Sequence, residues 1–453
     1  MNPEPRYTAA TAPADWPNPV HAWYGVGVLT IAYACSFIDR TVLNLLVGPI
    51  RADLQISDTQ MSLLQGIAFA FFFCLMGLPF GRMADRHSRK LIVAIGVGFW
   101  SLATAACGLA RNYFELFLAR VGVGVGEASL APSAWSWISD AFPPKRRPLA
   151  IGVYTMGVNF GLGLALIVGG AVIALFENMA IQVPGYGTLK TWQAVFVVVG
   201  LPGLIIMLLM FTIPEPKRHG LLVRDGVPPD QQIPLREVAR FALDRWRVFL
   251  PIYVGAGLMI LFGFGTVSWL PTYFIRVFDW TAPQIGFAYG LVILVFQGSG
   301  NIAFGWFAGW LAERGYTDAN LRAVVIGCVC SAFPAILAPL VPVPEIALVL
   351  WGIGGFFGAC SYTLLPLVIQ GITPNQMRAQ NLALYLLILQ LIGSGLGPTI
   401  PALLTDYVFG YDEAVGWSLL VVALIFPLLA AWVLSRALEP FRTRLAESSA
   451  WVS

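Results

Sequence analysis

Charge is what this sequence has least of. Lysine, arginine, aspartate and glutamate make up 11% of its 453 residues, against about 25% in a typical water-soluble domain. That excludes a soluble fold, and the chain reads as an integral membrane protein. Histidine is scarcer still: His21, His87 and His219 are the only three, all at or beyond the ends of apolar segments. A membrane-embedded enzyme would need a nucleophile–base set or a metal site, and neither can be assembled from them. The six cysteines (35, 74, 107, 328, 330 and 360) all lie in apolar stretches. Cys328 and Cys330 are two apart, which is no metal spacing, so core-filling thiols are expected, with no metal and no cofactor. A net charge of +3 offers nucleic acid too little to hold. The first twenty residues contain no short apolar stretch running into small residues, so no cleaved leader is expected.

What the sequence has in quantity is apolar length. Twelve segments are long enough to cross a hydrocarbon core of about 30 Å: 22–48, 60–82, 91–110, 113–139, 148–176, 192–213, 248–277, 283–312, 320–341, 345–371, 377–406 and 414–437. Basic residues fall mainly in one set of loops, including Arg82, Arg86, Arg89, Lys90, Lys145–Arg147, Lys217–Arg247, Arg314, Arg322, Arg378 and Arg436. The opposite loops hold little beyond Arg51, Arg111, Lys190 and Arg276. Basic loops stay in the cytoplasm, which predicts cytoplasmic termini and a multi-pass protein of the plasma (inner) membrane. The longest polar stretch divides the chain. The expected organisation is a cytoplasmic segment 1–21, a six-helix bundle 22–213, a linker 214–247, a second six-helix bundle 248–437 and a tail 438–453. Within the linker, "PLREVARFALDRWR" places Val238, Phe241 and Ala242 on one face of a short amphipathic helix.

An internal repeat supports that division. "GRMADRHSRK" (81–90) follows the second span and "GWLAERG" (309–315) follows the eighth. Gly81, Ala84, Asp85 and Arg86 match Gly309, Ala312, Glu313 and Arg314. Two halves in the same orientation make a parallel repeat. The first copy resembles the loop motif G-x-x-x-D-R-x-G-R-K of the major facilitator superfamily, with Ser88 in place of the second glycine. "FIDR" (37–40), "GVGFWSLAT" (97–104 with its leading glycine) and "RVGVGVGEAS" (120–129) resemble the Spinster branch more narrowly. That branch exports lysolipids and sphingoid phosphates in animals and has many bacterial relatives. Where relatives often carry Trp-Arg-Trp, this chain has Trp192-Gln193-Ala194, so the role of that arginine does not carry over. The resemblance implies an all-α major facilitator fold of twelve transmembrane helices. It further implies that Gly81, Asp85, Arg86 and Arg89 form a cytoplasmic gate motif.

Ionisable groups inside spans usually mark ion or substrate paths, because burying them costs about 2.5–3.5 kcal/mol each on insertion scales. Asp39 and Arg40 in span one, and Arg120 and Glu127 in span four, are the deep ones here. At about 1.5 Å per residue, Asp39 lies roughly 24 Å from Trp23 and Arg120 roughly 10 Å from Tyr113 on the other side. The two are therefore nearly level. An Asp39–Arg120 pair is expected, with Arg40 and Glu127 as a second pair. Gly122, Gly124 and Gly126 precede no Lys-Ser/Thr and follow no strand, so they cradle no phosphate. They are expected to let a neighbour, span one, pack closely. The second half lacks deep charges, and its cavity candidates are Trp269, Tyr273, Gln297 and Tyr362, with Asn301, Asn381, Tyr385 and Gln390 behind them.

A cavity charged on one wall and apolar-aromatic on the other suits an amphipathic molecule with an ionic head. The expected function is secondary active transport by alternating access, coupled to protons through Asp39 and Glu127. The substrate is expected to be an amphipathic organic ion or a lysolipid- or sphingolipid-like molecule, with membrane lipids as surroundings and the protein a monomer. Transport of a small organic anion or drug-like metabolite is the alternative. A non-transporting receptor or scaffold is the alternative of a different class.

Overall fold

Asn18 begins the first long helix: its side chain accepts the Val20 N–H, and Pro19 follows at the first helical position. The structure is a computed structural model that describes residues 7–9, 16–143, 146–177, 181–183, 187–218, 222–224 and 235–449. In chain order the first helices are α1 (Pro19–Thr41), α2 (Val47–Leu54), α3 (Asp58–Gln65), α4 (Ile67–Arg86), α5 (Arg89–Cys107), α6 (Tyr113–Glu127), α7 (Leu130–Ala141), α8 (Arg147–Phe176) and α9 (Thr191–Met210). The amphipathic α10 (Leu235–Asp244) follows. Then come α11 (Trp246–Phe278), α12 (Ala282–Val292), α13 (Gly298–Glu313), α14 (Ala319–Leu337), α15 (Pro344–Gly371), α16 (Asn375–Leu389), α17 (Thr399–Leu403), α18 (Val415–Ser435) and α19 (Leu438–Ser449). Two antiparallel ribbons, 7–9 with 222–224 and 181–183 with 187–189, are the strands among the described residues.

Among the described residues, eleven helices are long and apolar enough to cross a membrane. The segment expected as the fourth span arrives in two pieces, α6 and α7, and neither reaches membrane length alone. The cause is local. Ala128 and Ser129 keep right-handed dihedrals, but the Ser129 N–H bonds only three residues back, to Gly126, and its hydroxyl donates to the same carbonyl. Wider π turns interrupt other spans at Ile293–Gln297, Gln390–Ser394 and Leu404–Phe409. The amphipathic reading of α10 is matched in burial: Val238, Phe241 and Ala242 are buried while Arg236 and Arg240 are exposed.

Close backbone approach is what the glycines provide. A Cβ on Gly124 would meet the Phe69 carbonyl of α4 at 2.5 Å, and one on Gly126 would meet the Trp100 backbone of α5 at 2.8 Å. Span four therefore packs its glycines against α4 and α5, not against α1 as expected. The glycines of α8 serve two partners. Gly161 lies against Ala34 of α1, and Gly163 faces Gly290 of α12 with its would-be Cβ 2.8 Å from that carbonyl. α8 and α12 thus meet across the middle of the chain, as do α4 with the π turn 390–394, α3 with α17, and α11 with the 3-10 turn Val42–Leu45.

Candidate functional site: a buried charge cluster beside a central cleft

α1 ends at Thr41 and α3 ends at Gln65, where Gly66 breaks the chain direction before α4. Each helix end leaves carbonyls without intrahelical partners. Arg120 supplies both ends at once. Its Nε donates to the Leu64 carbonyl at 3.3 Å and its Nη1 to the Asp39 carbonyl at 3.2 Å. A fully buried guanidinium at two helix C-termini suits their dipoles. Asp39 and Arg120 are level, as the depth arithmetic expected, but they do not meet as carboxylate and guanidinium. Both carboxyl oxygens of Asp39 are buried without a hydrogen bond of ordinary length, with the Trp100 indole N–H, itself unbonded, bearing on them. The physical reason is that α1 tightens into the 3-10 turn Val42–Leu45 just after Asp39, and the Asp39 carbonyl at that change of winding takes the arginine's donor.

The Arg40–Glu127 pair forms as expected. Arg40 Nε donates to Glu127 Oε2 at 2.5 Å, and its Nη2 bonds the same oxygen. Three rings surround the guanidinium: Phe69 at 4.2 Å, Phe37 at 5.0 Å and Phe73 at 5.1 Å. The Arg40 side chain keeps 14% of its surface exposed whereas Glu127 keeps none. A narrow cleft of about 40 Å³ opens beside it, with Arg40, Asn44, Gln65, Phe69 and Arg120 on one wall and Phe264, Val267, Ser268 and Ser394 on the other. Composition alone did not single out Asn44, Gln65 or the phenylalanines. The run "FAFFFC" (69–74), with Phe69 and Phe73 four apart, was the available signal.

The second-half candidates divide. Gln297 lines a separate cleft of about 50 Å³ among α11, the π turn 293–297 and α15, together with Phe296 and Trp351. Trp269 is buried and donates its indole N–H to the Pro398 carbonyl at 2.7 Å, so it is packing rather than cavity wall. Tyr273 is buried against Gly416, and Tyr362 is half exposed beside Gly263; neither lines either cleft. Asn301 accepts from Thr363, and Asn381 accepts from Tyr253 and donates to Thr373. Tyr385 is buried with its ring tilted 47° against that of Tyr253, and Gln390 starts a π turn.

At the 81–90 loop, the Asp85 side chain lies outside the described residues. A Cβ on Gly81 would touch the Pro132 ring of α7 at 4.0 Å, and Arg86 is exposed in the last turn of α4. Arg89 is buried and tied to its own side of the chain. It pairs with Asp140 at the end of α7, donates to Glu215 at 2.7 Å and donates to the Pro216 carbonyl at 2.7 Å. Burial pushes the Glu215 carboxyl up, but bonds from the Lys90 N–H, Arg89 and Ser88 outweigh it and hold the group below the ordinary carboxylate range.

The opposite end of the bundle carries a charge knot that the sequence did not announce. Asp58, with no side-chain exposure, accepts both Nη atoms of Arg276 at 2.6 and 2.8 Å and pairs with Arg51 at 3.1 Å. Arg51 in turn holds Asp412 at 2.8 and 3.2 Å, and Thr59 donates twice to Asp406.

Residues 29–398 match the model of the Major Facilitator Superfamily. The chain is 26% identical over 94% of its length to an MFS-type efflux pump of Mycolicibacterium smegmatis, covering 95% of that protein. It is 31% identical to Protein spinster homolog 1 of Xenopus tropicalis over 53% of this chain and 43% of that one. Its structure is similar to that of a bacterial homologue of the human lysosomal transporter Spinster in an inward-facing, unoccupied conformation. That match has a TM-score of 0.76 and 26% identity over 95% of this chain and 98% of the other. The chain belongs to the Major Facilitator Superfamily and, within it, is a Spinster-like multi-pass membrane transporter.

Proposed function

We propose that this chain is a proton-coupled secondary transporter working by alternating access, with α6 and α7 together forming the fourth of twelve spans. Both termini lie in the cytoplasm, and residues 22–213 and 248–437 form the two halves that rock about the central cleft. The observation that carries the reading is the composition of the buried cluster. Asp39, Arg40, Arg120 and Glu127 sum to zero charge; the Asp39 carboxyl makes no hydrogen bond of ordinary length, and Arg40 and Arg120 both line the cleft, Arg40 with partial exposure and Arg120 buried. Protonating Asp39 or Glu127 leaves one net positive charge, and Arg40 can then take an anionic head group through paired N–H donors. The aromatic surround of Arg40 and the apolar wall at Phe264 and Val267 suit a hydrocarbon body. The substrate is therefore an amphipathic organic ion or lysolipid-like molecule. The charge knot joining α2 and α3 to α11 and to Asp412 closes the outer end, which supports an inward-facing state like that of the similar Spinster homologue. In this reading the 81–90 loop, with Gly81, Asp85, Arg86 and Arg89, gates the cytoplasmic end.

A second reading has support in the relatives. Proteins described as a probable L-galactonate transporter of Escherichia coli and a hexuronate transporter of Bacillus subtilis are 23% and 25% identical. A small organic anion would use the same arginine without the apolar wall. Native mass spectrometry of the protein released from membranes separates the two. The first reading expects a co-purified single-chain amphiphile that is lost in Arg40→Ala. A small carboxylate bound in its place, equally dependent on Arg40, would establish the second.

A further inference from the structure

α3 is eight residues long and is joined to α4 through Gly66, whose dihedrals (φ −108°, ψ −85°) lie outside the helical region. It touches α11 at both of its ends. At its outer end, Asp58 holds Arg276. At its inner end, the Gln65 side-chain N–H reaches the Ser268 carbonyl at 3.5 Å and Asn44 Oδ1 at 3.1 Å. Asn44 Nδ2 in turn donates to the Val267 carbonyl at 3.3 Å. Asp58 and Gln65 are about 10 Å apart along α3, and Ser268 and Arg276 about 12 Å apart along α11. The two helices run in opposite directions, so the contacts form two rungs of one ladder. The outer rung is charged and well made. The inner rung is neutral and long, and both of its side chains line the cleft beside Arg40.

We infer that Asn44 and Gln65 are substrate-contacting residues that read occupancy of the cleft and transmit it to the outer gate. The inference rests on the transport reading above. A head group held by Arg40 meets Asn44 and Gln65 within the same cleft, and Gln65 still carries a buried Oε1 without a partner to offer a donor. Polar atoms on the ligand compete for the side-chain N–H groups that now reach the Val267 and Ser268 carbonyls. Each neutral hydrogen bond across the ladder contributes only modestly, whereas the Asp58–Arg276 pair is charge-assisted. Losing the inner rung frees α3 to pivot about Gly66 and leaves only the outer-end contacts of Asp58, Arg51 and Thr59 to hold the halves. Gly66 is suited to that pivot. A Cβ there would sit 2.4 Å from the Gly395 carbonyl, so the α3–α4 corner bears directly on the π turn of the other half.

The test uses double electron–electron resonance on the full chain in nanodiscs, with spin labels at Ala52→Cys and Val277→Cys across the outer face. The proteins compared are the parent, Gln65→Met, Asn44→Leu and the outer-rung variant Arg276→Gln. Gln65→Met keeps the side-chain volume, and Asn44→Leu guards against one substitution that fails to fold. Dodecyl phosphate serves as the head-group probe. Without probe, Gln65→Met and Asn44→Leu should each raise the open outer population about threefold or more over the parent. Dodecyl phosphate should open the parent and add little to either variant. Variants that match the parent without probe overturn the inference, as does a parent that ignores dodecyl phosphate while the variants open. An outer face that stays shut in all four proteins, Arg276→Gln included, overturns the alternating-access reading itself.

Discussion

Arg120→Lys separates the two arginines by what each touches. Arg120 spans two main-chain carbonyls that belong to different helices, Leu64 of α3 and Asp39 of α1, at 3.3 and 3.2 Å. A lysine ammonium has three donors but on one compact centre, without the spread fork by which Nε and Nη1 reach the two carbonyls separately, so it serves one of them. One charge-assisted bond is therefore lost, a cost of about 1.5–3 kcal/mol. Arg120→Leu goes further. It strips both carbonyls of their donor and removes a positive charge from the buried cluster, so it should cost more than the lysine variant. Arg40 behaves differently. Its guanidinium is partly exposed at the cleft, and lysine can keep the contact with Glu127. Arg40→Lys should cost less than Arg120→Lys in stability and more in transport, because it loses the planar fork that faces the substrate. The assay is thermal unfolding of both variants in one nanodisc preparation, alongside substrate flux. The reasoning fails if Arg120→Lys melts with the parent, or if Arg40→Lys is the less stable of the two.

Other outcomes follow from the same geometry. Glu215→Gln should destabilise the protein by about 1–3 kcal/mol near neutral pH by weakening the hydrogen bonds around Arg89 and Lys90. The native carboxyl sits below its ordinary range, so its contribution is complete above the unfolded value of roughly 4.3 and disappears as pH falls through the native one. The gap between the unfolding curves of the two proteins should therefore shrink as pH falls below the unfolded value, and a gap that stays unchanged in acid refutes the assignment. Gly126→Ala should cost about 1–3 kcal/mol by overpacking, because its Cβ meets the Trp100 main chain at 2.8 Å rather than a movable side-chain tip. Gly152→Ala, with nothing near the new Cβ, is the control that should leave the melting temperature unchanged.

The fold was legible because bilayer thickness and loop charge act on composition, which a single sequence displays directly. The same holds for the level of Asp39 with Arg120 and for the pairing of Arg40 with Glu127, since rise per residue fixes depth. Depth says nothing about which atom of Asp39 meets the guanidinium. That depended on the end of α1 and its free carbonyls. The charge knot was hidden for another reason: Arg51, Asp58, Arg276 and Asp412 come from three distant loops, and only the closed outer face brings them together. Asn44 and Gln65 carry no charge and look like ordinary helix-to-helix contacts until the cleft is seen beside them. The break at Ala128–Ser129 escaped because small residues and a serine hydroxyl tighten a helix without any proline to announce it.

The central claim is that protons on Asp39 and Glu127 set which face of the transporter is open. Its most direct test is the distance distribution across the outer face, from spin labels at Ala52→Cys and Val277→Cys, followed from pH 8 to pH 5 in nanodiscs. The parent protein should shift its populations over that range, and Asp39→Asn and Glu127→Gln should each lose at least half of the shift while remaining folded. Variants that retain the full pH response would contradict the account.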